Sequence, residues 1–258
     1  MDEDAFVAHV GARLSALPGV AAVTLGGSRA QNSSRPDSDW DFAVYYRGQF
    51  DPQDLRDIGW PGEVSEIGGW GGGVFNGGAW LVVDDRKVDV HYRDLAVIEA
   101  EIAASRDGHF RIEPLMFHLA GIPSYLVLAE LAVRRVLSGE LPVPVYPLAL
   151  RKHALVVWWD RAMRTFGYAR DYHARYGRAA QCTGLLVQAV SQSAHAVLGA
   201  RGQWITNEKQ LLTRAGLSRV DDFIALARPE PAALREVADK CLALCELAVA
   251  QARTTLIS

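Results

Sequence analysis

Early in the chain, apolar positions recur with two different periods. Phe6, Val7, Val10 and Leu14 follow the helical spacing of three to four, which predicts a helix over about 4–17. Val20–Leu25 (VAAVTL) is a short apolar run ending at Gly26-Gly27 and reads as a buried strand. From Asp39 the period becomes two, so Asp39, Asp41, Ala43 and Tyr45 share one face of a strand and Trp40, Phe42 and Val44 the other. Residues 79–92, AWLVVDDRKVDVHY, are two apolar runs around a polar turn at 84–87, which predicts a hairpin. In its second arm Lys87, Asp89, His91 and Arg93 share one face, while Val88, Val90 and Tyr92 share the other. A helix over 95–105 closes this part.

Beyond residue 110 the strand signals almost vanish. Residues 123–137 (PSYLVLAELAVRRVL) are helical in pattern, and Pro147 suits the first turn of a helix over 148–166. Further helices are expected over Ala179–Ala200 and 231–256. The fold class is therefore α+β, with a mixed-sheet domain over 1–110 and an all-α bundle over 111–258. The glycine-rich stretch 68–78 has neither G-x-G-x-x-G opening a helix nor G-K-[ST], so it reads as a link between strands with Trp70 packed on the sheet.

Composition narrows the function classes. A length of 258 residues fits about two domains, and 50% hydrophobic content supports real cores. The net charge is −3, and 23 arginines and four lysines form no basic block, so no long nucleic acid is expected as a partner. The acidic amino terminus is unlike a signal peptide, and no apolar run reaches membrane-spanning length. Three cysteines are too few for a disulfide framework. The expected setting is cytoplasmic, with reduced thiols and no membrane partner.

The chemistry concentrates in GGSRAQNSSRPDSDWDFAVYY. Two carboxylates on one strand face repel unless a cation or proton neutralises them, and Mg²⁺ fits hard oxygen donors while leaving positions for substrate phosphates. Upstream, the Gly26-Gly27 turn lets backbone N–H groups approach an anion before Ser28 opens a short helix; Ser28 can donate to a phosphate and Arg29 can add charge.

Taken together, the Gly27-Ser28 turn and the Asp39-x-Asp41 strand resemble the DNA polymerase beta-like nucleotidyltransferase superfamily. The resemblance implies a third carboxylate on a neighbouring strand, for which Asp89 is the best match, and a metal site of Asp39, Asp41 and Asp89 holding two ions. The helical half is similar to that of small bacterial antibiotic nucleotidyltransferases of the aminoglycoside and lincosamide types, in which an Asn-Glu-Lys segment recurs; here it is Asn207-Glu208-Lys209, and Lys209 is a candidate triphosphate contact. One departure is Arg29-Ala30-Gln31-Asn32, where many members have small residues and a further glycine.

The resemblance implies ATP as nucleotide donor, Mg²⁺ as cofactor and transfer of AMP to a hydroxyl of a small-molecule acceptor. Asp89 and Glu130 are candidate general bases, Glu130 because a carboxylate among Leu128, Ala129, Leu131 and Ala132 is poorly explained by solvation and related enzymes use a helical-domain glutamate. Two other readings stay open: the same transfer onto a protein or tRNA, as in toxin-antitoxin systems, and a catalytically idle nucleotide-binding protein.

Overall fold

A computed structural model describes residues 1–31, 35, 38–71 and 73–256. Part of the polar loop before Asp39, including Asn32, and Gly72 of the glycine-rich stretch lie outside these residues. The chain forms two compact units, residues 1–103 with 124–145 and residues 104–123 with 146–258. Where the sequence suggests one boundary at 110, the chain crosses between the units three times.

The first unit opens with α1 (Glu3–Ser15), capped by Asp2, whose carboxylate accepts the Ala5 N–H. It continues through β1 (Val20–Leu25), α2 (Gly27–Ala30), β2 (Trp40–Tyr46), α3 (Pro52–Arg56), β3 (Gly62–Val64), β4 (Gly78–Val83), β5 (Arg86–Asp94) and α4 (Leu95–Arg106). After β6 (Ile112–Glu113) and β7 (Ile122–Pro123), which belong to the second unit, come α5 (Leu126–Val133) and β8 (Arg135–Ser138). Six strands form one sheet in the order β3-β4-β5-β2-β1-β8, with β2 and β5 parallel and every other neighbouring pair antiparallel. One sheet face buries Trp40, Phe42, Val44, Val88, Val90 and Tyr92 against Phe6, Val10 and Leu14 of α1, as the alternation predicts. The predicted hairpin forms with a tighter turn, Asp84-Asp85, at φ 48° and 60°. Two successive positive φ values match the twist of the strands that a two-residue turn must join.

Residues 123–137 depart from their predicted helix. α5 stops at Val133 and the chain becomes β8, pairing with β1. The open hydrogen-bonding edge of β1 overrides a weak local helical preference at Arg135–Ser138, and Leu137 reaches Gly11 of α1, where a side chain would crowd its Cδ1 at 3.1 Å.

The second unit is built on α6 (Leu148–Tyr168), a π turn and a 3₁₀ turn over Ala169–His173 and Ala174–Tyr176, α7 (Ala179–Ala200), α8 (Leu211–Ala215), α9 (Val220–Ile224) and α10 (Pro231–Thr254). Pro147 caps α6 instead of sitting in its first turn. The core joins Trp158 and Phe166 of α6, Leu186, Val190 and Val197 of α7, and Leu234, Cys241 and Cys245 of α10. Its one sheet among the described residues is the two-stranded β6–β7 pair, so this unit is not wholly helical. Cys182, Cys241 and Cys245 are free and buried, and burial pushes the last two thiols up to about 11 and about 12. Among the described residues no helix is long and apolar enough to cross a membrane.

Candidate active site

At the end of β1 the backbone turns onto the start of β2. The Gly26 N–H donates to the Asp41 carbonyl at 2.7 Å, and Gly27 takes φ +60°. A Cβ built on Gly27 would lie 1.8 Å from Asp41 Oδ2. Glycine is thus required twice, for the left-handed backbone and for the close approach of the turn to a carboxylate. Ser28 follows in the first turn of α2, beside that approach.

The parallel register of β2 and β5 sets Asp41 opposite Asp89, Ala43 opposite His91 and Tyr45 opposite Arg93. These pairs lie on the face away from α1. One donor atom from each of Asp41, Asp89 and His91 lies within 4.8 Å of the others, all three residues being partly buried. Among the described residues no other group of three His, Cys, Asp or Glu side chains converges this way. The His91 Nδ1 is buried with no hydrogen-bond partner. Burial, and then the charge of Arg93, push its imidazole down to about 4, against a smaller upward pull from Glu130. Two hard carboxylates and one neutral imidazole with an unpartnered nitrogen fit a divalent cation.

The glycine-rich stretch borders this cluster. Trp70 stacks on Trp80 of β4, centroids 4.9 Å apart, and meets the His91 ring edge-on at 5.7 Å. Gly78 makes this possible, since a Cβ there would lie 2.4 Å from the Trp70 ring. Trp80 is paired with Asp89 across β4 and β5 and remains 44% exposed. Phe75 lies edge-on to His91 at 6.4 Å and under the Arg93 guanidinium at 4.6 Å.

The remaining predicted residues fall elsewhere. Asp39 is exposed in the loop entering β2, outside the three-donor cluster. Arg29 does not extend as a free phosphate contact: its guanidinium donates to the Ser38 carbonyl at 2.8 Å, pairs with Glu3 at 3.2 Å and lies 3.8 Å over the Trp40 ring. Lys209 is exposed and belongs to the second unit, where its N–H donates to Asn207 Oδ1 at 3.0 Å. Its neighbour Glu208 instead accepts the backbone N–H groups of Leu119 and Ala120 at 2.7 and 3.0 Å.

Glu130 needs correction on two points. It lies in α5 of the first unit, not in the helical one. Both of its oxygens accept from Arg93, at 2.7 and 2.8 Å, and Arg93 is 1% exposed. Burial pushes the Glu130 carboxyl up, but the charge and hydrogen bonds of Arg93 outweigh it and hold the carboxyl below its usual range. A low-pKa carboxylate with both oxygens engaged is a poor proton acceptor and a good anchor. Sequence reasoning missed His91 and Arg93 as site residues although it placed both on the Asp89 face. The signal was the two-residue spacing Asp89-x-His91-x-Arg93.

The site thus joins a glycine turn pressed onto a strand aspartate to a second aspartate facing it across a parallel pair. Residues 10–71 match the family model described as "Nucleotidyltransferase domain", in keeping with the resemblance of the Gly27-Ser28 turn and the Asp-x-Asp strand to the polymerase beta-like nucleotidyltransferases. Among solved structures it is similar to a nucleotidyltransferase-like protein from Exiguobacterium sibiricum, at 11% identity and a TM-score of 0.44, covering 99% of this chain and 78% of that one. It is also similar to the Elizabethkingia meningoseptica CdnE cyclic dinucleotide synthase, solved with GTP and Apcpp, at 11% identity and a TM-score of 0.28, covering 93% and 90%. No curated protein matches the chain in sequence.

Proposed function

We propose that the protein transfers AMP from ATP to a hydroxyl of a small molecule of the aminoglycoside or lincosamide kind, with Mg²⁺ as the activating ion. The observation that carries this reading is the facing pair Asp41 and Asp89, with Gly27 turned onto the first of them. Asp41, Asp89 and His91 would hold a divalent cation, with Asp39 drawn in from its loop if a second ion is used. When bound, the cation would neutralise charge on the phosphates and on the leaving pyrophosphate.

The chain's own groups do the rest. The turn at Gly27 and Ser28 brings N–H and hydroxyl donors to the phosphates beside Asp41. The acceptor hydroxyl oxygen attacks the α-phosphorus, its proton passes to the Asp89 carboxylate, and the bond to pyrophosphate breaks as the new ester bond forms. Glu130 takes no part in the proton transfer; it holds Arg93 in place behind His91. The exposed face of Trp80 beside Asp89, backed by Trp70, gives a compact apolar surface suited to a small acceptor.

The test is an acceptor screen with ATP and Mg²⁺, following pyrophosphate release and product mass. An adenylylated small molecule is the expected product, and Asp41→Asn should lower turnover on the order of a thousandfold, the size of effect expected when metal-borne charge stabilisation is lost. Full activity in Asp41→Asn removes the proposed site. Transfer to tRNA or protein with none to small molecules replaces the acceptor class.

A further inference from the structure

We propose that His91 is a direct metal ligand, and that its nitrogen makes the Asp41–Asp89 site prefer first-row transition-metal dications over Mg²⁺. The inference rests on the nucleotidyl-transfer reading, which gives the site a cation to hold. It adds the identity of the third protein donor and the ion selectivity that follows.

Four observations support it. His91 stands two residues after Asp89 on the same strand face, and one of its ring nitrogens falls within 4.8 Å of carboxylate oxygens of both aspartates. Its Nδ1 is buried with no partner, an arrangement that native proteins rarely leave unexplained. Trp70 and Phe75 hold the ring edge-on from the glycine-rich stretch without supplying a hydrogen bond to that nitrogen. Opposite His91 on β2 stands Ala43, whose methyl group offers no competing donor.

The donor set determines the selectivity. Mg²⁺ favours an all-oxygen octahedron and keeps most of its waters, so an imidazole adds little to its binding. Transition-metal dications gain from a nitrogen ligand, increasingly so along the series from Mn²⁺ to Cu²⁺. Two carboxylates and one imidazole therefore discriminate by chemistry while leaving the reaction type unchanged.

Mn²⁺ alone is the probe, because it is paramagnetic and reports its ligands directly. Pulsed EPR of Mn²⁺ bound to the wild-type chain should show coupling to a directly coordinated ¹⁴N nucleus, absent in His91→Ala and His91→Leu. Competition titrations should show Mn²⁺ displacing Mg²⁺, with the Mn²⁺ Kd rising about tenfold or more on loss of His91, at least the effect typical of losing an outer-shell partner. Bound Mn²⁺ without nitrogen coupling, or no Mn²⁺ binding, overturns the assignment. If that protein still transfers nucleotide with Mg²⁺, the proposed function survives. Nitrogen-coupled Mn²⁺ in a protein that transfers nothing upholds the ligand and removes the function. The wild-type spectrum needs no variant, so a His91 substitution that fails to fold does not blunt the test.

Discussion

Gly27 carries more of the site's geometry than either aspartate. Its φ of +60° is costly for any residue with a side chain, by about 1–2 kcal/mol. The 1.8 Å approach of a built Cβ to Asp41 Oδ2 adds a clash that only movement of the carboxylate can relieve. Gly27→Ala should therefore destabilise the protein by about 2 kcal/mol or more in urea unfolding, and lower turnover further than that loss of folded protein explains. A variant with unchanged stability and rate would mean that the turn tolerates a side chain. His91 shows the complementary case, a residue whose neighbours on the strand are readable from spacing but whose unpartnered Nδ1 becomes visible only once Trp70 and Phe75 are placed.

Elements contribute through register. One parallel pairing, β2 against β5, aligns Asp41 with Asp89 and Tyr45 with Arg93, so a two-residue slip would separate every pair at once. α5 then lies against that face through the Arg93–Glu130 ion pair. Removing one partner of a buried pair leaves the other charge uncompensated, and Glu130→Gln should cost about 3–5 kcal/mol at neutral pH. Because the folded carboxyl titrates below its usual value of 4.5, its contribution is complete above that pH and is lost as pH falls through the lower folded value. The stability gap between wild type and Glu130→Gln, measured by urea unfolding, should narrow below pH 4.5. A gap that stays constant down to pH 3 would show that the pair does not carry the stability. Burial also pushes the Tyr45 hydroxyl up to about 12, with the Glu130 charge adding to it, so the phenol stays protonated beside the pair.

For the whole molecule, the decisive fact is that residues 124–145 return to the first unit. A fragment ending at residue 110 lacks β8, which pairs with β1, and Glu130, which neutralises Arg93. It should show no cooperative unfolding transition by circular dichroism, whereas residues 1–103 joined to 124–145 through a flexible linker should fold; cooperative unfolding of the shorter fragment would contradict this. Much of the architecture was legible in the chain. Val20–Leu25 and Ala179–Ala200 follow directly from their apolar periods, and the two faces of β2 and β5 follow from alternation. The same alternation set Asp41 with Ala43 and Tyr45, and Asp89 with His91 and Arg93, on shared strand faces, because strand geometry converts a two-residue spacing into a common side. Local patterns could not carry Arg135–Ser138, which is a strand only because β1 offers an open edge. Nor could they reveal that Glu130 is bound to a residue 37 positions away, or that Arg29 is held by Glu3 and Trp40. Periodicity acts over a few residues and is written in the sequence; partners brought together by long-range packing exist only once the chain has folded.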